Sequence, residues 1–181
     1  MAALGPDVCL QHRDPGAPVR SFLERARWLA ALAERTGAQL AVNGRLDVAL
    51  LVGANVHLPV DGPRPREVRP LLPPDRWVSV AAHSLDELRA SEGCDAMLLS
   101  PVYPPGSKPG DTRVPLGPDG FGQLTRAAAP TPCYALGGIT PERVAGLAPI
   151  GGLAVQSGVL RAPDPAAAAR ALLAALDRSS S

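Results

Sequence analysis

The stretch Cys133-Tyr134-Ala135-Leu136-Gly137-Gly138-Ile139-Thr140-Pro141-Glu142 has the residue types of an anion site. An apolar run suited to a buried strand ends in two glycines. Thr140 then suits a helix N-cap, and Pro141 suits the first helical position. Paired glycines let the backbone approach a ligand closely, and a helix start behind them offers free N–H groups to a phosphate. Leu153-Ala154-Val155-Gln156-Ser157-Gly158 repeats the arrangement. In an alternating chain, two such strand ends late in the sequence mark the place where a (β/α)₈ barrel keeps its phosphate site. The competing reading is two tight connections that hold no ligand.

Other residues could join that chemistry. Gln11 and Arg13 fall on one face of the first apolar run by period 2, and an Arg fork matches phosphate oxygens. His12 should face the other way. Lys108 is the only lysine among 18 basic residues, and it sits in a Pro/Gly-rich connection, Pro101 to Pro118. A loop of that length is either a functional lid or an insertion without fixed structure. His57 reads as a structural imidazole at a strand end. His83 reads as a hydrogen-bonded residue just before an N-cap. Cys9, Cys94 and Cys133 have no metal spacing and read as reduced thiols, which points to the cytoplasm.

The composition bounds the answer. A chain of 181 residues is expected to form one domain, residues 1–181, with a substantial core. Its net charge of +1 argues against nucleic acid as a partner and against a polybasic membrane surface. No apolar run approaches the ~20 residues that span a bilayer. Aromatic residues make up 3% of the chain, too few for base stacking to dominate binding.

Seven short apolar runs are expected as strands: Val8–Gln11, Gln39–Val42, Asn55–Leu58, Trp77–Ala81, Ala96–Leu99, Cys133–Leu136 and Leu153–Val155. Helical spacing lies between most of them. Phe22, Leu23, Ala26, Leu29, Ala30 and Ala33 form a stripe of period near 3.6. Asp47–Val52 makes a turn or two, Ser84-Leu85-Asp86-Glu87 is a capping box, and Asp164-Pro165 opens a final helix to about Leu176. Near-continuous apolar strands alternating with helices predict a parallel sheet covered on both faces.

Seven motifs in this order resemble the thiamine-phosphate synthase/TenI family of TIM-type (β/α) barrels. They are Gln11-His12-Arg13-Asp14, Asn43-Gly44-Arg45-Leu46-Asp47-Val48-Ala49-Leu50, Val56-His57-Leu58-Pro59, His83-Ser84-Leu85, Pro101-Val102-Tyr103-Pro104 with Ser107-Lys108-Pro109-Gly110, Leu136-Gly137-Gly138-Ile139-Thr140-Pro141 and Ala154-Val155-Gln156-Ser157-Gly158. The Asn-Gly-Arg and His-Ser-Leu forms look more like the TenI branch. In this family the synthase joins a pyrimidine diphosphate to a thiazole phosphate and releases pyrophosphate with Mg²⁺. The TenI branch includes a thiazole tautomerase. The resemblance implies that Gln11 and Arg13 bind the diphosphate substrate, that Asn43 lies beside them, and that Lys108 neutralises departing pyrophosphate. Gly137, Gly138 and Ser157 would cradle the thiazole phosphate.

Departures from the family qualify that picture. A Mg²⁺-binding Asp of the synthases is Gly44 here. The second aligns with Gly62, leaving Asp61 one position away as a weak metal candidate. The family Lys after the Gln-x-Arg pair is Pro15, a family Ser near the fifth run is Ala81, and the tautomerase His is Pro101. The family also begins one strand and most of a helix before Val8. An open sheet edge there would need cover, for instance from a second copy of the chain. The expectation is therefore a TenI-like protein that binds a thiazole phosphate or thiamine phosphate at the C-terminal face of the strands. The enzyme alternative is a thiamine-phosphate synthase with an altered metal site, the one reading that requires Mg²⁺. The other alternative is a non-catalytic ligand-binding relative.

Overall fold

The computed structural model describes residues 2–104, 113–147 and 150–179. Seven strands alternate with helices. They are β1 (Cys9–His12), β2 (Gln39–Asn43), β3 (Asn55–Leu58), β4 (Val78–Ala82), β5 (Ala96–Leu99), β6 (Cys133–Leu136) and β7 (Gly152–Ala154). They form a seven-stranded sheet in chain order. Neighbours are parallel from β1 to β4 and from β5 to β7. Each of these parallel steps is thus a βα unit, the repeat of a TIM-type barrel, and the described residues contain seven such strands. The predicted strands match the observed ones within one residue at each end. The backbone divides into two compact units, Met1–Val80 and Ala81–Ser181, with the boundary inside β4.

In the first unit, α1 (Val19–Thr36) carries the predicted stripe and buries Phe22, Ala26 and Ala33. It stops at Gly37, whose φ of 73° is the left-handed cap that glycine adopts without strain. His12 is buried on the α1 side, as period 2 requires. Its ring stacks on Phe22 at 3.9 Å, and its Nε2 lies 3.1 Å from the Phe22 carbonyl. All four residues of β3 are buried, as expected of a parallel strand covered on both faces. Two of them are polar, Asn55 and His57. Asn55 donates from Nδ2 to the Leu40 carbonyl at 3.1 Å, and its Oδ1 accepts the Trp77 N–H at 3.1 Å, so its amide bridges the flanking chain segments. The unit also contains α2 (Leu46–Val52), the short α3 (Pro65–Val68) and two 3₁₀ segments, Ala2–Asp7 and Arg69–Leu71.

In the second unit, α4 (Leu85–Ala90) starts at the predicted cap, with the Ser84 side chain accepting from the Glu87 N–H. The α5 helix (Gly117–Ala128) buries Phe121, Gly122, Leu124 and Ala128. The α6 and α7 helices are single turns, Pro141–Val144 and Ser157–Leu160, and α8 (Pro165–Ser179) packs over both. The Asp164 carboxylate accepts the N–H groups of Ala166 and Ala167, so it caps α8 as predicted. Among the described residues, no helix is long and apolar enough to cross a membrane.

Candidate active site

Two groups of residues gather at C-terminal strand ends, one in each unit. In the first unit, Asn43 Nδ2 donates to Gln11 Oε1 at 3.3 Å. Asn43 is in register with His57, and His57 with Ser79, so three polar side chains form a row across β2, β3 and β4. His57 is 4% exposed, and its Nδ1 lies 2.9 Å from Ser79 Oγ. Burial, helped by the positive charge of Arg13, pushes its pKa down to about 4. At neutral pH it is an uncharged imidazole whose orientation Ser79 fixes. Sequence reasoning treated His57 as structural. The signal that could have found it is its odd position on the same face as Asn43, which only the strand register makes visible.

In the second unit the turn after β6 is pressed against the segment that follows β5. Val102 and Tyr103 donate their N–H groups to the carbonyls of Leu136 and Gly137, at 2.9 and 3.0 Å. Gly137 and Gly138 have φ of 101° and 62°. A Cβ on Gly137 would lie 3.0 Å from Pro101 Cα. One on Gly138 would lie 2.8 Å from both the Pro104 carbonyl and Tyr103 Cβ. Both glycines are therefore required by backbone approach as well as by conformation. A carboxylate placed at position 138 would displace the segment before it repelled any phosphate. Arg143, on α6, donates to the Gly138 carbonyl at 2.7 Å and lies over the Tyr103 ring at 4.7 Å. Sequence reading gave no hint of it.

Ser157 is the first residue of α7, and a Cβ on Gly158 beside it would sit 3.6 Å from the Ile139 carbonyl. The turns after β6 and β7 therefore touch. Because α6 and α7 span four residues each, any pull on an anion comes from individual N–H groups and not from a helix dipole. His83 Nδ1 donates to the Ser100 carbonyl, and the Arg113 guanidinium approaches Nε2 at 3.2 Å. Its own N–H goes to Glu87 at 2.6 Å. His83 thus ties the end of β4 to the end of β5, the hydrogen-bonded role its place before the cap suggested. Lys108 lies outside the described residues.

The sequence matches the family described as thiamine monophosphate synthase over residues 2–159. A thiamine-phosphate synthase of Moorella thermoacetica is 36% identical over 183 residues, covering 98% of this chain and 86% of that one. One from Anaeromyxobacter dehalogenans is 40% identical over 185 residues, covering 97% and 81%. The thiamine phosphate pyrophosphorylase structure from Pyrococcus furiosus superposes with a TM-score of 0.86 at 26% identity, covering 99% of this chain and 88% of that one. The chain belongs to the thiamine monophosphate synthase family. Its fold is TIM-type, as the motifs implied.

Family membership sharpens the question of Mg²⁺. The ion takes oxygen ligands in near-octahedral array, commonly one or two carboxylates with substrate phosphates. Gly44 and Gly62 supply none, and both lie against one side chain, Pro59. A Cβ on Gly44 would be 3.8 Å from its ring, and one on Gly62 would be 3.1 Å from its Cδ and its carbonyl oxygen. Asp61 is exposed on the loop after β3. Asp47 is already held by Arg45 through bonds of 2.9 and 2.6 Å, which lower its pKa. Among the described residues, no three His, Cys, Asp or Glu side chains cluster as a metal site would need. The described residues do not fit a two-carboxylate Mg²⁺ site.

Proposed function

We propose that this chain is a thiamine-phosphate synthase with a rebuilt diphosphate end, joining a pyrimidine diphosphate to a thiazole phosphate with release of pyrophosphate. This places the synthase reading ahead of the TenI-like binding role that the motifs first suggested, because near-full-length relatives carry the synthase name. The observation that carries it is the polar row in the first unit. Gln11 bonded to Asn43, with His57 held neutral beside them, offers amide and imidazole groups of fixed orientation. Such groups recognise a nitrogen heterocycle and repel no anion. Arg13 supplies positive charge for the diphosphate. Lys108 neutralises the leaving pyrophosphate, and the N–H groups of the turn after β6, with Ser157, take the thiazole phosphate. The ligand partners are small phosphate esters, and the setting is the cytoplasm.

The test is turnover by the purified chain on both substrates, in Mg²⁺ and in EDTA, with thiamine phosphate and pyrophosphate both quantified. Steady product formation, lowered at least tenfold by Lys108→Ala and by Arg13→Ala, supports the reading. Tight thiazole-phosphate binding with no product under either condition would replace it with the second reading, a ligand-binding relative without turnover. Gly44 and Gly62 favour that second reading, since they remove the family's carboxylates.

A further inference from the structure

We infer that Arg143 is a positioning residue for the phosphate-binding turn, a reading that rests on the thiazole-phosphate role proposed above. Three successive carbonyls, those of Leu136, Gly137 and Gly138, are each held by a donor. The first two go to the N–H groups of Val102 and Tyr103 at 2.9 and 3.0 Å, and the third to the Arg143 guanidinium at 2.7 Å. In a planar trans peptide the carbonyl of one residue points opposite to the N–H of the next. Fixing these three carbonyls therefore fixes the N–H groups of Gly137, Gly138 and Ile139, each turned away from its carbonyl's partner. The first two restraints come from backbone, which any sequence supplies. The third depends on one side chain.

Arg143 is itself held in place. Its guanidinium lies over Tyr103, and the Tyr103 hydroxyl donates to the Arg143 carbonyl at 3.3 Å. Its N–H donates to the Thr140 carbonyl at 3.0 Å, closing the single turn of α6. The side chain thus reaches back along its own turn to the glycine before it. Gly138, at φ 62°, has wide conformational freedom in isolation, so its peptide could rotate without this restraint. A flat guanidinium can stack and donate at once, which a lysine ammonium cannot reproduce.

The experiment uses Arg143→Ala, Arg143→Lys, Arg143→Gln and Tyr103→Phe in the full chain. Binding of thiazole phosphate and of inorganic phosphate is measured by calorimetry, with KM and kcat where turnover is seen. Amide hydrogen exchange of Gly137–Ile139 is followed without ligand. Arg143→Ala is expected to weaken phosphate binding about tenfold, the effect of losing one charge-assisted bond, raising KM for the thiazole substrate with little change in kcat. It should also speed exchange at Gly138 and Ile139. Arg143→Gln, which keeps a donor, should recover part of the affinity, and Tyr103→Phe, which keeps the ring, should stay within about twofold of the parent. Unchanged exchange at Gly138 and Ile139 in Arg143→Ala would overturn the inference whether or not the ligand binds. Unchanged phosphate affinity in a parent that binds well would do so too. A parent that binds no thiazole phosphate sinks the functional reading instead, and exchange alone then decides the role of Arg143.

Discussion

Gly138→Ala separates two reasons for a glycine that are usually confounded. Gly138 and Gly117 have nearly the same positive φ, 62° and 64°. A Cβ on Gly117 meets nothing within 4 Å, whereas one on Gly138 comes within 2.8 Å of the Pro104 carbonyl and of Tyr103 Cβ. Left-handed strain alone costs about 1–2 kcal/mol for a residue with a Cβ. Forcing an atom into filled space adds about 1–3 kcal/mol. Gly117→Ala should therefore lose only the first amount, and Gly138→Ala both. With a urea slope of about 2 kcal/mol/M, the midpoint of Gly138→Ala should fall about 0.5–1.5 M below that of Gly117→Ala. Far-UV circular dichroism in urea reads both variants, and equal slopes validate the comparison. Equal midpoints would refute the reasoning. They would mean that the segment after β5 yields freely, and that its pressure on Gly138 does not hold the turn in shape.

Four further expectations follow from burial and bonding. His57 is held neutral in the fold with its pKa depressed to about 4, while the unfolded chain protonates near pH 6.5. Its contribution is complete above pH 6.5 and is lost as pH falls toward 4, by at most about 3 kcal/mol. His57→Gln should flatten the stability profile across that window, and parallel profiles for the two proteins would argue against it. Asn55→Ala should cost about 2–4 kcal/mol, because it strands the buried Leu40 carbonyl in β2 and the half-buried Trp77 N–H just before β4. Asp47→Asn, which breaks an exposed ion pair, should cost under about 1 kcal/mol, and a reversal of that order in chemical denaturation would contradict the burial argument. Ser84→Ala should remove about 1 kcal/mol by uncapping α4, seen as a lower urea midpoint; no change would mean that the Ser84–Glu87 bond is not maintained in solution.

Legibility in the sequence tracked how local the determining interaction was. Strands of this sheet are apolar runs bounded by turn residues, so their positions could be read almost to the residue. The α5 helix could not be read. It begins Gly117-Pro118 and carries Gly120 and Gly122, residues that argue against a helix. What commits it is tertiary: Leu116 and Gly117 donate to the carbonyls of Pro101 and Val102 at 2.8 and 2.9 Å, and Phe121 is fully buried. The glycine turn after β6 was legible, because two glycines at a strand end are a local signal. The contacts that brace it were not, because they come from Tyr103 and Arg143, 40 residues apart along the chain. His57 falls between these cases. Its strand was plain, but its neighbours Asn43 and Ser79 arrive only through register.

The two glycines that stand where the resemblance expects carboxylates have a structural meaning beyond that chemistry. Gly44 and Gly62 are 18 positions apart, yet both face Pro59, so the three residues pack as one group. The two glycines differ in what they would accept. At φ 69°, Gly44 could take an Asp at modest strain, since short polar residues tolerate that conformation best, and the space before Pro59 is ordinary contact at 3.8 Å. At Gly62 a Cβ would already stand 3.1 Å from the proline ring and from its carbonyl oxygen, so an Asp requires the loop after β3 to shift. Moreover, the Gly44 N–H donates to the His57 carbonyl at 2.9 Å, so movement at either glycine reaches the strand that carries the buried imidazole. Placing carboxylates at both positions would therefore disturb the polar row before it built a cation site. Under the proposed function, the chemistry of the diphosphate end has to be worked out from this packing as it stands, with Arg13 near enough for its charge to lower the pKa of His57.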